Sequence, residues 1–303
     1  VENAIVFPGQ GSQFVGMADP WMNHPAGKAV IDEASDVLSL DLASSCRDGS
    51  LLASTEFVQP AMFACDVAAF RVLEAEGIGD WVGSAGHSLG EFAALVAAGV
   101  CGFDDLLRVV SVRGREMQRA GRARPGSMAA LLGVGPQEAG DICDRARGDD
   151  VLAVANENSP KQVVISGSIP AIERAQEICA LRNVRAVRLN VAGAFHSPLM
   201  EPAAQPLNEE LSSIAFSAPA FPIAENVTGS LVIDPEELRR FVAQQIVMPV
   251  RWMGCVRALS SAGATTFVEA GPGDVLTKLA KRVIPSARAV AVGSPEAASS
   301  ALA

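Results

Sequence analysis

Trp81-Val82-Gly83-Ser84-Ala85-Gly86-His87-Ser88-Leu89-Gly90-Glu91 is the stretch whose reading decides the fold class. A short strand pattern, Trp81 to Ala85, runs into Gly86-His87-Ser88-Leu89-Gly90, and a helical pattern follows from Leu89 to Ala98. This is a G-x-S-x-G pentapeptide between strand and helix, the setting of a nucleophile elbow. There a tight turn exposes a serine hydroxyl above an α/β sheet. Ser88 is therefore the candidate nucleophile. A glycine-rich β–α turn with Ser88 as helix cap has the same local pattern, so the remaining chain must supply the partners.

The chain has 303 residues, 49% hydrophobic and 19% charged, enough for one large domain or a domain carrying an insertion. A formal net charge of -10 argues against bulk nucleic-acid binding. No apolar run reaches the roughly 18 residues needed to span a bilayer, and Ala4-Ile5-Val6-Phe7 is too short for a signal-peptide core and reads as a first strand. Cysteines 46, 65, 101, 143, 179 and 255 are scattered without a C-x-x-C pair. They read as reduced thiols of a cytoplasmic protein, and three histidines leave little for a zinc site.

Helix patterns cover Pro60 to Glu76 and Asp104 to Arg119, the latter with Asp104 as N-cap. The middle of the chain then changes character. Strands are expected at Ser127–Gly133, Val151–Ala155, Gln162–Ser166 and Val184–Val191, with helices at Pro136–Arg147 and Pro170–Leu181. That β-α-β-β-α-β order is ferredoxin-like. The expected fold is α/β: a large α/β-hydrolase-like domain with a mostly parallel sheet, formed by residues 1–124 and 193–303. A ferredoxin-like subdomain, 125–192, is inserted between Arg124-Pro125-Gly126 and Ala192-Gly193. Beyond it come helices at Pro198–Leu211, Pro235–Ile246 and Met253–Ser261, and strands at Pro222–Glu225 and Thr265–Glu269. A last helix ends near Arg282, and Glu296 to Ala303 reads as a low-complexity tail.

A serine hydroxyl is a weak nucleophile and needs a base within hydrogen-bond reach. His87 adjoins Ser88 on the turn and should point away, and His24 lies in a polar, surface-like loop. His196 remains, in Gly193-Ala194-Phe195-His196, where the inserted unit returns to the main domain. The oxyanion needs aimed donors: the backbone N–H of Leu89 after the serine, and Gln10 N–H from Gly9-Gln10-Gly11 after the first strand. Arg113, 25 residues beyond Ser88, sits on a helix that can present a guanidinium to the cleft and hold a carboxylate. Arg108, Arg115 and Arg119 on that helix read as surface charge.

With Phe7–Gln13, Gly86–Glu91, Arg113 and Phe195-His196, the chain resembles the malonyl-CoA:acyl-carrier-protein transacylases and is similar to the acyltransferase domains of polyketide synthases. Asn156–Pro160, Gln162–Gly167, Gln245 before Pro249-Val250-Arg251-Trp252, and Glu269–Gly273 extend the match. The resemblance implies ping-pong transfer: Ser88 takes malonyl from malonyl-CoA as an ester, and the phosphopantetheine thiol of an acyl carrier protein collects it. His196 serves as base, steered by a backbone carbonyl at Gln245. Arg113 binds the malonyl carboxylate, Gln10 and Leu89 donate to the oxyanion, and Met117 and Phe195 line the substrate pocket. Ala-Phe-His at Ala194–His196 goes with malonyl units in the polyketide enzymes, whereas many housekeeping relatives carry Pro-Ser-His. The pathway, fatty acid or polyketide, is therefore left open. No tightly bound cofactor and no metal are expected.

Carrier proteins are acidic, so Arg182, Arg185 and Arg188, with Lys278, Lys281 and Arg282, are candidate docking residues. The expected partners are an acyl carrier protein and a coenzyme A thioester, with no nucleic acid and no membrane, and a monomer is expected. The alternatives are a trans-acting polyketide acyltransferase with another extender unit, an editing acyl-carrier hydrolase, a general serine hydrolase, and a non-catalytic carrier-binding module. A general serine hydrolase calls for a triad acid and an HGGG-like loop, and the sequence offers neither.

Overall fold

The computed structural model describes residues 2–300. Strands β1 (Asn3–Phe7) and β2 (Trp81–Gly86) form the centre of the larger sheet. The inserted region contributes β3 (Gly126–Leu132), β4 (Leu152–Ser159), β5 (Gln162–Ser168) and β6 (Arg185–Arg188). The chain then returns with β7 (Ile223–Ala224), β8 (Leu231–Val232), β9 (Thr266–Ala270) and β10 (Arg288–Val292). The six-stranded sheet runs β10-β9-β1-β2-β7-β8 and is parallel except for the β7–β8 pair. The four-stranded sheet runs β4-β5-β3-β6, antiparallel throughout.

The apolar run of β1 follows from its place at the centre of a parallel sheet covered on both faces. Ile5 and Phe7 face the helices Thr55–Ala75 and Gly90–Ala97, while Ala4 and Val6 face Trp252–Ser261 and Val275–Val283, in a second apolar core. Alternation along one strand therefore feeds two layers. The antiparallel sheet has a core of its own, built by Leu131, Ile142, Val163, Ile165 and Ile172. It is tied to the larger sheet's helical layer through the edge of β4: Glu157 N–H donates to Val250 O at 2.9 Å and Val250 N–H to Ala155 O at 2.8 Å.

Several boundaries differ from expectation. The helix expected from Pro60 begins at Thr55 and carries Pro60 inside it, where the ring forgoes one backbone hydrogen bond. The helix expected to be capped by Asp104 is Phe103–Ala123, with Gly102 at the cap and Asp104 and Asp105 in the first turn, where they complement the helix dipole. The strand expected over Val184–Val191 is Arg185–Arg188, followed by one more bond to β3 from Leu189 N–H to Met128 O at 2.9 Å, and Leu189 and Val191 line the cleft. Helix Pro25–Leu38 went unread behind its polar His24-Pro25 start, although His24 Nδ1 accepts from Ala26 N–H there. The helix ending at Val283 is not the last element: β10 and helix Pro295–Ser300 follow. That helix buries Ala298, so the expected low-complexity tail is ordered through the described residues, while 301–303 lie outside them.

Candidate active site

Ser88 occupies a left-handed backbone conformation, φ 54°, at the end of β2. Such a conformation costs a non-glycine residue about 1–2 kcal/mol and persists only where neighbours enforce it. Three glycines permit the enforcement. A Cβ on Gly86 would lie 1.8 Å from Gly90 C, one on Gly90 2.1 Å from Phe7 O, and one on Gly9 2.3 Å from His87 O. The turn therefore closes on itself and the loop after β1 packs directly onto it. Asn226, after β7, clamps the elbow from the other side. Its Oδ1 accepts Ser88 N–H at 2.8 Å and its Nδ2 donates to Gly86 O at 2.7 Å.

His196, also left-handed at φ 55°, places Nε2 2.7 Å from Ser88 Oγ. Its Nδ1 faces two carbonyls, Gln245 O at 2.9 Å and Met248 O at 3.2 Å. Carbonyls only accept, so Nδ1 carries the proton and Nε2 presents its lone pair to the serine hydroxyl. Burial pushes the His196 pKa down to about 3, with the Arg113 charge adding to the effect. The imidazole is neutral, ready to take a proton.

Arg113 is completely buried, and its Nη2 donates to Ser88 Oγ at 3.0 Å and to Gln245 Oε1 at 2.9 Å. Nη1 donates to Gln59 Oε1, and the guanidinium lies over the Phe92 ring at 5.5 Å. Among the described residues no carboxylate pairs with it directly, and Nε is without a partner. Burial lowers its pKa to about 10, with Glu91 pulling the other way. Glu91 reaches it only through Gln245, whose Nε2 donates to Glu91 Oε2 and to Ser88 O. Burial and the Glu225 charge push Glu91 up to about 8.

The backbone N–H groups of Gln10 and Leu89 donate to no protein acceptor among the described residues. A Cβ on Gly9 would lie 3.7 Å from Leu89 N, so the two loops bring these donors to one locale. A cavity of about 100 Å³ opens there, lined by Ser88, His196, Met117, Phe195, Met128 and Leu189 among others. His87 points out of the dyad: its Nε2 bonds Asn158 Oδ1 at 2.8 Å and its ring packs on Trp252. Arg108, Arg115 and Arg119 are exposed and paired with acidic neighbours.

The basic candidates separate. Lys281 and Arg282 line a groove of about 520 Å³ with Lys161, which sequence reading passed over. Leu132 in that groove stands opposite Arg185 in the β3–β6 pairing. Lys278 is engaged by Asp274 at 2.7 Å, and Arg188 reaches Ser127 at 3.0 Å and Glu173 at 3.8 Å. Arg182 follows helix Ile169–Leu181 as its cap. Sequence reading also missed Gln59, Asn226 and the side chain of Gln245. A glutamine inside Val58-Gln59-Pro60-Ala61-Met62-Phe63 was the available signal for the first. Among the described residues no cluster of three or more His, Cys, Asp or Glu could hold a metal ion, and no helix is long and apolar enough to cross a membrane.

The acyl transferase domain family matches residues 4–298. The malonyl CoA-acyl carrier protein transacylase of Escherichia coli O157:H7 is 40% identical, covering 99% of this chain and 98% of its own. An acyl carrier protein S-malonyltransferase from Vibrio cholerae O1 superposes with a TM-score of 0.93 at 40% identity, over 97% of each chain. A malonyl-transacylase solved in complex with a type II PKS acyl-carrier protein superposes with a TM-score of 0.96 at 37% identity, over 100% of this chain and 99% of that one. The chain thus belongs to the acyl transferase domain family and, within it, to the malonyl-CoA:acyl-carrier-protein transacylases.

Proposed function

We propose that the protein transfers malonyl from coenzyme A to the phosphopantetheine thiol of an acyl carrier protein, in fatty acid or polyketide synthesis, through an ester on Ser88. The observation that carries the substrate choice is Arg113: a buried guanidinium 3.0 Å from the nucleophile with no directly paired carboxylate. A buried cation without a counter-ion is costly, and a malonyl carboxylate supplies one where an acetyl group cannot.

Ser88 Oγ attacks the thioester carbonyl and passes its proton to His196 Nε2. The oxyanion is met by Gln10 and Leu89 N–H, donors of a kind worth roughly 10²–10³ in rate. Collapse expels the coenzyme A thiolate, which takes the proton from His196. In the second half the carrier thiol gives its proton to Nε2, the thiolate attacks the Ser88 ester, and the proton returns to Ser88 Oγ. The Gln245 and Met248 carbonyls hold the Nδ1–H tautomer through both halves, in place of a triad acid.

The separate core of the antiparallel sheet supports a division into a discontinuous catalytic domain, 1–124 and 193–303, and a ferredoxin-like subdomain, 125–192. Six free, buried cysteines fit a cytoplasmic protein. Every group of the site comes from one chain, as a functional monomer requires, and the chemistry uses no bound cofactor. Lys281 and Arg282, which line the groove, and Arg185, across the β3–β6 pair from the groove residue Leu132, are the favoured carrier-docking residues, with Arg182 peripheral.

Incubation with malonyl-CoA followed by intact-mass measurement tests the reading. The expected result is one malonyl adduct, lost in Ser88→Ala. Absence of the adduct in the unaltered protein, or release of free malonate faster than transfer to a carrier, would overturn it.

A further inference from the structure

Gln59 is buried to 1% exposure on helix Thr55–Ala75 and belongs to none of the roles above. Its Oε1 accepts from Arg113 Nη1, and its Nε2 donates to Gln10 Oε1 at 3.0 Å. Gln10 Nε2 in turn donates to Thr55 Oγ1 at 3.3 Å. Thr55 and Gln59 are one turn apart, on the same helix face. Together they grip both ends of the Gln10 side-chain amide. The direction of every bond is fixed from one end. Arg113 has only donors, so Gln59 must turn its oxygen to it and its nitrogen to Gln10, which must then turn its own nitrogen to Thr55. The helices are held close enough by Gly114, where a Cβ would lie 2.9 Å from Thr55 O and 3.0 Å from Gln59 Cβ.

From this chain we infer that Gln59 is a positioning residue that ties the carboxylate-binding guanidinium to the loop carrying the Gln10 oxyanion donor. Gln59 borders the active-site cavity but hydrogen-bonds to neither Ser88 nor His196, so the inferred role runs through its two partners. It fixes the azimuth of Arg113 through one bond and the position of Gln10 N–H through another, so one side chain sets both the selectivity for a carboxylate and the rate of acyl transfer. The inference rests on the roles proposed for Ser88, Arg113 and Gln10.

The experiment compares malonyl-CoA and acetyl-CoA as donors in single-turnover acylation of Ser88, for Gln59→Leu, Gln10→Ala, Thr55→Val and the Gln59→Leu/Gln10→Ala double variant. Gln10→Ala keeps the backbone donor and removes its anchor. Gln59→Leu is expected to slow acetyl acylation about tenfold through the Gln10 arm and malonyl acylation about 100-fold through both arms. Gln10→Ala and Thr55→Val slow the two donors equally, leaving their ratio unchanged. In the double variant the acetyl effect does not add, because both changes cut the same arm. Simple loss of packing would slow both donors alike in Gln59→Leu and add in the double variant, and that result overturns the inference. So does a Gln59→Leu protein with both rates within twofold of the unaltered one. Thr55→Val reads the Gln10 arm independently should Gln59→Leu fail to fold: an unchanged acetyl rate there also overturns it. Acylation of the unaltered protein tests the underlying reading separately, so the two failures are distinguishable.

Discussion

The two sheets meet the cleft in different ways. The parallel-sheet side brings Ser88, His196, Arg113, Gln59, Gln10 and Gln245, and these groups hydrogen-bond to one another in a continuous buried network. The antiparallel side brings Met128, Asn156, Leu189 and Val191 to the same cavity, yet among the described residues none bonds to Ser88 or His196. Among the described residues its one polar link to the elbow is Asn158 to His87. The proposed chemistry thus falls to the parallel-sheet side, while the antiparallel side supplies a mainly apolar wall and shares the outer groove with helix Val275–Val283. A buried polar network must be satisfied as a whole, whereas an apolar wall tolerates changes of shape more cheaply.

The largest expected effect comes from breaking the network at its charged centre. Arg113→Ala should lower malonyl transfer about 10²–10³-fold and acetyl transfer far less, since only malonyl loses a charge-assisted partner. Equal loss for both donors would contradict the assigned role. The same variant has a pH signature. His196 must be neutral to act as base, and burial plus the Arg113 cation push its pKa down to about 3, below the ordinary 6.5. The acid limb of kcat/KM for acetyl-CoA therefore lies well below 6.5 in the unaltered protein. Removing the cation makes protonation easier, so the limb moves upward, part of the way toward 6.5 because the burial contribution stays. A limb that moves downward or stays fixed would break the electrostatic link between the two residues.

A smaller effect is expected from the wall. Met128, on β3, is 4% exposed and faces the cavity. Met128→Ala should cost roughly 2–5 kcal/mol of stability, visible as a lower Tm. Malonyl transfer should stay within about threefold and transfer of C2-substituted malonyl groups should rise, through room made without loss of a polar contact. A collapse of malonyl transfer comparable to that of Arg113→Ala would erase the division between wall and network.

Much of this was legible in the sequence because the informative residues have narrow uses. Gly86 and Gly90 admit no side chain, and their spacing announces the elbow at Ser88. Only three histidines are present, so His196 emerged by elimination. Alternation and turn residues placed β3, β5 and both helices of the antiparallel unit within one or two residues. What stayed hidden depends on contacts between distant segments. The apolar run around Gln59 hints at burial, but its partners appear only when helices Thr55–Ala75 and Phe103–Ala123 pack at Gly114. Asn226 acquires meaning only when β7 lies beside β2. Lys161 sits in a turn 120 residues from Lys281, and only the docking of the antiparallel unit on helix Val275–Val283 puts them in one groove.

That groove gives the smallest and most condition-dependent prediction. The protein is acidic overall, at -10, so long-range attraction to an acidic carrier cannot come from net charge. It must come from local cations left unpaired by their own chain. Lys278 is engaged by Asp274 and Arg188 by Glu173, whereas Lys281 and Arg185 have no acidic partner among the described residues. Double reversal, Lys281→Glu with Arg185→Glu, should raise the KM for the carrier about 3–10-fold at low ionic strength and leave kcat nearly unchanged. Rim charges act on encounter and not on the buried chemistry. Near 0.15 M salt, where the screening length is about 8 Å, the difference should shrink. A loss that persists at high salt, or appears in kcat, would place these residues in the network after all. An unchanged KM at low salt would remove the groove from carrier docking and leave the antiparallel unit with the acyl wall as its sole proposed contribution.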